Sequence, residues 1–172
     1  MADDHIATYL NDHLAGSVVA VELMENLEAV YAGKPIADFI AKLRADIEAD
    51  VQELESLMMR LQISESRTRK ASAWLTEKFT QLKLRLDDPT HGELRLFESL
   101  EALSLGIEGK RSLWLALSAA AEVSPQLRIA DYQRLRQRAE EQRERVEEQR
   151  LQVAQAALRL EQHGQADSNA NG

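Results

Sequence analysis

Cysteine is absent from the 172-residue chain, which excludes disulfide bonds, zinc–thiolate sites and thiol catalysis. Aromatic residues make up only 5% of the chain, and there are three prolines and seven glycines. No apolar run is long enough to cross a bilayer, and no basic region followed by an apolar segment marks a signal peptide. The remainder is rich in Leu, Ala, Glu and Arg, a composition that predicts an all-helical, cytoplasmic protein.

The charge is acidic overall, with a formal net value of −8, but it is uneven along the chain. Residues 63–86 contain six basic and two acidic side chains, whereas the flanking stretches are acidic. An acidic protein is a poor general binder of nucleic acid, and the basic stretch has few aromatic side chains that stack on bases. We therefore expect no nucleic-acid partner and no membrane partner, and we expect the basic stretch to neutralise acidic neighbours in the fold.

Apolar residues recur at spacings of three and four in five segments, and this periodicity predicts five helices. The predicted helices cover residues 4–32, 36–61, 64–86, 93–122 and 129–161. Gly33 and Pro35 mark the first break, because glycine often follows a helix and proline often opens one. We expect a single domain over residues 1–162 and a disordered polar tail over residues 163–172.

The order and lengths of these helices predict a ferritin-like up-down four-helix bundle. Four of the helices have roughly 25–33 residues, so each is about 40–50 Å long at about 1.5 Å per residue. The segment 62–91 contains a helix of its own, of roughly 20 residues, which we interpret as a long crossover between the second and third bundle helices. The alternative is a plain five-helix bundle in which this middle helix belongs to the core.

Polar residues interrupt the apolar faces of the long helices at one depth. Measured along each helix, His13, Asp50, Glu108 and Gln142 lie about 21–27 Å from the same end of the bundle, and Ser17 is one turn from His13. A desolvated charge costs several kcal/mol unless it is paired or bound to a metal. We call these five residues the polar belt and expect it to mark either a site or a structural network.

Two segments resemble a known superfamily: residues 11–17, Asn-Asp-His-Leu-Ala-Gly-Ser, and residues 105–111, Leu-Gly-Ile-Glu-Gly-Lys-Arg. Together with the helical architecture, they make residues 3–162 resemble uncharacterised bacterial members of the ferritin-like superfamily. Di-iron enzymes of that superfamily use one Glu from each of two helices and Glu-x-x-His from each of the other two. Because this chain contains no Glu-x-x-His, the resemblance implies the fold without an intact di-iron centre.

The polar belt has two main interpretations, beside which binding of some other ligand or a catalytic role stays open. In the first, His13, Asp50 and Glu108 bind iron or manganese, since a His with two carboxylates suits these metals, and the protein is a metal-dependent redox enzyme with an unusual ligand set. In the second, which we favour, a buried hydrogen-bonded network fixes the register of the helices; it consists of His13, Ser17, Asp50, Gln142 and Arg143. The protein is then a non-enzymatic interaction or stress-related protein without a cofactor. We consider a homodimer, because helical bundles often pair along an exposed apolar stripe, and the sequence identifies no other protein partner.

Two further patterns have open interpretations. Residues 134–150 alternate in sign, which is typical of a solvated helix face with pairs four residues apart; a partner-binding coiled-coil surface is the alternative. Gly106 and Gly109 lie inside a predicted helix, where glycine is destabilising. We interpret them as a close approach between two helices, with room for a small ligand as the alternative.

Overall fold

The computed structural model describes residues 2–64, 77 and 92–160, which form four long helices and a single-turn 3-10 helix. Over these residues the chain is all-α and contains no strand, which confirms that the protein is helical as predicted. No described helix has the length and apolar character needed to cross a membrane. The elements are α1 (Ala2–Val30), α2 (Pro35–Arg60), α3 (Gly92–Val123), the 3-10 helix (Pro125–Leu127) and α4 (Tyr132–Ala157).

The helix ends follow from local sequence. Gly33 adopts a φ of +79°, which closes the turn after α1, and Pro35 occupies the first turn of α2. The carboxylate of Asp131 accepts a hydrogen bond of 3.0 Å from the backbone N–H of Arg134 and caps α4. This cap explains why α4 starts three residues after the predicted start of the last helix.

Two predicted segments fall outside the described residues. The predicted helix over 64–86 is described only at Ser64 and Glu77, and the tail over 163–172 is not described. The crossover and the disordered tail therefore remain predictions. The other four predicted helices are present, with ends that differ by one to four residues.

The contacts between helices fix their directions. A turn of four residues, 31–34, makes α1 and α2 antiparallel, and the short link through the 3-10 helix does the same for α3 and α4. The Tyr31 hydroxyl donates a 2.6 Å hydrogen bond to the carbonyl of Gly92, so the end of α1 lies beside the start of α3. Ion pairs from Glu53 to Arg134 and from Asp46 to Arg145 make α2 and α4 antiparallel. It follows that α2 and α3 run in the same direction.

The arginines of α4 mostly reach neighbouring helices. Besides the two pairs to α2, at 2.9 and 2.5 Å, Arg143 lies 3.6 Å from Glu108 and Arg150 lies 3.6 Å from Glu101, both on α3. Only Arg136 and Glu140, 3.5 Å apart, form a described ion pair with four-residue spacing within α4. The alternating charges of residues 134–150 thus hold α4 to the bundle as well as solvating its outer face.

The apolar core is divided into two clusters of buried side chains. One lies toward the turn between α1 and α2 and includes Met24, Ile47 and Ile107, and the other lies toward the opposite end and includes Leu10, Leu54 and Leu113. On α2 and α3, the buried residues between these clusters are Asp50 and Lys110. The division of the core therefore coincides with the depth predicted for the polar belt.

Candidate functional site

The interior polar network consists of Asp50, Lys110, Gln142 and Arg138. The Lys110 ammonium donates to Oδ2 of Asp50 and to Oε1 of Gln142, and the Gln142 amide donates to Oδ2 of Asp50 at 2.9 Å. Arg138 forms an ion pair with Oδ1 of the same carboxylate. Asp50, Lys110 and Gln142 are 3%, 9% and 1% exposed, so the network joins α2, α3 and α4 inside the bundle.

The helical repeat brings these side chains together. Asp50 follows Ile47 and precedes Leu54 on the buried face of α2, and Gln142 occupies the corresponding place on α4. Lys110 occupies it on α3, where the buried face continues through residues 96, 100, 103, 107, 110, 114, 117 and 121. A lysine stem packs along apolar neighbours while its ammonium reaches a polar partner, and here that partner is on the helix across the core.

Burial weakens the hold of Lys110 on its proton. Desolvation lowers the pKa of the Lys110 ammonium below its ordinary value, and the Asp50 carboxylate acts in the opposite direction. The carboxylate faces two cations, Lys110 and Arg138. Removing one partner of such a buried ion pair strongly destabilises the protein, because the remaining charge is left desolvated.

A cavity of about 80 Å³, which we call the central cavity, adjoins the network. Asp50 and Lys110 line it together with Asp12, His13 and Ser17 from α1. The rest of the lining is apolar or glycine: Gly16, Ala20, Met24, Leu43, Ile47, Leu54, Leu103, Gly106, Ile107, Gly109, Leu113 and Trp114. A water molecule needs about 10–15 Å³ by this kind of measure, so the space suits several waters or one small molecule.

Glycines keep part of this space open. A Cβ placed on Gly16 or on Gly109 meets no atom within 4 Å. Each glycine destabilises its helix by about 1 kcal/mol relative to alanine. Close helix approach, our interpretation of Gly109, is therefore wrong for this residue, because no neighbouring atom is near enough to require a missing side chain. The alternative interpretation, room beside the helix, fits the structure.

Asp50 and Gln142 of the polar belt meet, as their depth along the helices predicts. His13 and Ser17 form no hydrogen bond with these two residues. Asp50 and Gln142 are hydrogen-bonded to each other. The His13 imidazole packs edge-on against the Tyr9 ring, with 4.7 Å between the ring centroids. The Ser17 hydroxyl donates a 2.9 Å hydrogen bond to the His13 carbonyl within α1. His13 and Ser17 thus share the central cavity with Asp50, and the structure gives them no hydrogen bond to its carboxylate.

Glu108 lies away from the central cavity. It is half-buried and pairs with Arg111 at 2.7 Å and with Arg143 at 3.6 Å, and Arg143 is exposed. The hydrogen bond from Arg111 lowers the pKa of the Glu108 carboxyl. Among the residues that the structure describes, no three His, Asp or Glu side chains are placed to hold one metal ion. The structure therefore does not bring together the three ligands of the metal hypothesis, His13, Asp50 and Glu108.

Sequence reasoning missed Lys110 and Arg138. The signal for Lys110 was present, because it falls in the repeat of the buried face of α3, whereas Glu108 lies two residues away on the margin. Arg138 has no comparable signal: it precedes a buried alanine and is one of several arginines on a polar helix.

Comparison with family models, with curated proteins and with solved structures finds no match for this chain.

Because the imidazole of His13 is half-buried, we expect the protein to lose stability in mild acid. Desolvation lowers its pKa below the ordinary 6.5, with Asp12 acting weakly in the opposite direction. The unfolded chain then takes up a proton more readily than the folded one. The contribution of His13 to the free energy of unfolding is therefore complete above about pH 6.5 and is lost as the pH falls through the pKa of the folded state. We expect urea denaturation of His13→Gln to depend less on pH between 7 and 5 than that of the wild type.

The matched control for this measurement is His5→Gln, since His5 is exposed on the same helix. We expect this variant to keep the wild-type pH dependence. Equal pH dependence in the wild type and in His13→Gln would mean that His13 is solvated in the folded protein.

Proposed function

We propose that this chain is a ferritin-like four-helix bundle in which the Lys110 ammonium takes the place of a metal centre, and that it acts by binding other molecules instead of by redox catalysis. The observation that carries the proposal is the buried contact of Lys110 with Asp50 and Gln142. Metal sites of helical bundles are built in the core from side chains on facing helices. A fixed positive charge at that position repels a divalent cation and already neutralises the carboxylate that would bind it.

The arrangement of the helices supports the ferritin-like part of the proposal. Side chains from α2, α3 and α4 meet in one network, and α1 completes the wall of the cavity next to it. All four described helices contribute side chains to one shared interior. A segment 62–91 that crosses outside the bundle is therefore favoured over a core helix, and we interpret it as the long crossover of ferritin-like bundles.

Metal analysis of the purified protein tests this function. We expect protein produced in medium supplemented with iron and manganese to carry far less than one metal ion per chain. One iron or manganese per chain, lost in both His13→Ala and Asp50→Ala, would overturn the proposal in favour of a metal-dependent redox enzyme.

Removal of the positive charge provides a second test. Lys110→Gln keeps a hydrogen-bonding side chain but removes the ammonium, so we expect Mn²⁺ to bind at least tenfold more tightly than to the wild type in an equilibrium titration. Lys42→Gln, a change at an exposed lysine of α2 outside the network, serves as the control for lost charge alone. If both variants bind Mn²⁺ as weakly as the wild type does, the ammonium is not what excludes the metal, and this part of the proposal fails.

A further inference from the structure

The central cavity combines apolar walls with unpaired donors, and we propose that it binds a small apolar molecule carrying one uncharged carbonyl oxygen. This inference rests on the proposed binding function and adds the chemistry of the ligand. At about 80 Å³ the cavity is smaller than an engineered apolar cavity of 150 Å³ that takes benzene. A ligand with about four carbon atoms is therefore the class that we test.

The walls favour an apolar body. Leu43, Leu54 and Leu113 are each 3% exposed or less and come from two helices that face each other across the cavity. Apolar pockets with a few placed polar groups are the usual form of small-molecule sites. The apolar walls supply affinity, and the few polar groups select the ligand.

The polar groups of the wall include two donors without an acceptor. An ammonium has three N–H groups, and Lys110 directs one to Asp50 and one to Gln142. The indole Nε1 of Trp114 is buried and has no hydrogen-bond partner in the described part of the chain. Buried donors are normally paired, because leaving one unpaired is unfavourable. An oxygen that only accepts hydrogen bonds complements these donors.

The charges around the cavity disfavour an ionised ligand. Asp12 and Asp50 line the cavity together with Lys110, and Arg138 also pairs with Asp50, so the fixed charges nearly balance. A carboxylate entering the cavity would be desolvated beside Asp12 and Asp50, and an ammonium would be desolvated beside Lys110. A ketone or aldehyde carries the required acceptor without that penalty.

The glycines supply the room for this ligand. Gly16 and Gly109 face open space from α1 and α3, and both line the cavity. Alanine at either position would favour the helix and would occupy part of the space. We therefore expect Gly16→Ala combined with Gly109→Ala to raise stability while weakening the binding of a ligand.

Methionine methyl resonances provide the test. Met24 is fully buried and lines the cavity, whereas Met59 is 72% exposed and does not line it. With 13C-methyl methionine in the full chain, we expect 2-butanone at millimolar concentration to shift the Met24 methyl saturably and to leave Met59 unchanged. Pentane, butyrate and butylamine, which lack the acceptor or add a charge, should bind at least fivefold more weakly.

Three variants locate the site and the donor. The double variant Gly16→Ala, Gly109→Ala should weaken 2-butanone at least tenfold, whereas Gly92→Ala, which also faces open space but does not line the cavity, should bind as the wild type does. Trp114→Phe removes the indole N–H and should reduce the preference for 2-butanone over pentane.

Three results would overturn the inference: no saturable shift of Met24, equal affinity for pentane or butyrate, or unchanged affinity in the double glycine variant. Metal analysis of the same sample separates the two proposals. A metal-free protein that does not bind 2-butanone overturns this inference and leaves the metal-free bundle intact, whereas one bound metal per chain overturns the proposed function.

Discussion

Asp50→Ala lowers the free energy of unfolding by about 3–5 kcal/mol, because it removes the counter-charge of a buried ammonium. Lys110 keeps only the Gln142 oxygen as a partner, and Arg138 loses its contact with the carboxylate. Urea denaturation measures the loss. Asp46→Ala is the matched control on the same helix: Asp46 is 42% exposed in its pair with Arg145, and pairs of this kind contribute about 0–1 kcal/mol.

Replacing the network by apolar side chains separates pairing from burial. Asp50→Leu together with Lys110→Met and Gln142→Leu should lose much less stability than Asp50→Ala, since apolar replacement of all buried partners is often neutral or better. A double-mutant cycle between Asp50 and Lys110 should show strong coupling. A cycle between Asp50 and His13 should be additive within about 0.5 kcal/mol, and coupling there instead would restore the pairing that we predicted from helix depth alone.

Leu43→Ala is expected to lower the free energy of unfolding by about 3–5 kcal/mol. Leu43 is fully buried on α2 and lines the central cavity, so the space left by its side chain joins space that is already open. The surrounding helices are therefore poorly placed to collapse around the deletion, and the penalty grows with the volume that stays empty.

An added apolar ligand distinguishes this cavity from an ordinary packing defect. A ligand that binds only the folded state raises stability by RT ln(1 + [L]/Kd), so benzene at ten times its Kd should restore about 1.4 kcal/mol to Leu43→Ala. Leu100→Ala is the control, since Leu100 is equally buried but does not line the cavity. Equal recovery in the two variants would show that benzene fills any deletion and that the central cavity contributes nothing special.

The long helices were predictable because apolar residues recur at spacings of three and four along each of them, with few polar exceptions. Asp50 and Gln142 were predictable for the same reason, since a polar residue on such a face is conspicuous and helix length places it at a known depth. Depth does not decide which side chains meet. His13 lies at the same level as Asp50, but its short ring packs against Tyr9, whereas the long stem of Lys110 carries an ammonium across the core.

The open space of the central cavity could not be predicted from the sequence. The sequence shows glycines inside helices, but a glycine serves close packing and open space equally well, and only the position of the neighbouring helix decides between them. At Gly109 that neighbour lies too far away to fill the space.

The last buried side chain of α4 is Val146, although the helix continues to Ala157. Leu151 and Leu158 are 57% and 58% exposed, so the final three turns are held by few apolar contacts. Regions of this kind open locally without global unfolding, and their amide protons exchange with solvent early. The amide protons of residues 150–157 should therefore exchange while those around Gln142 remain protected, and this end of α4 can separate from the bundle without exposing the buried ammonium.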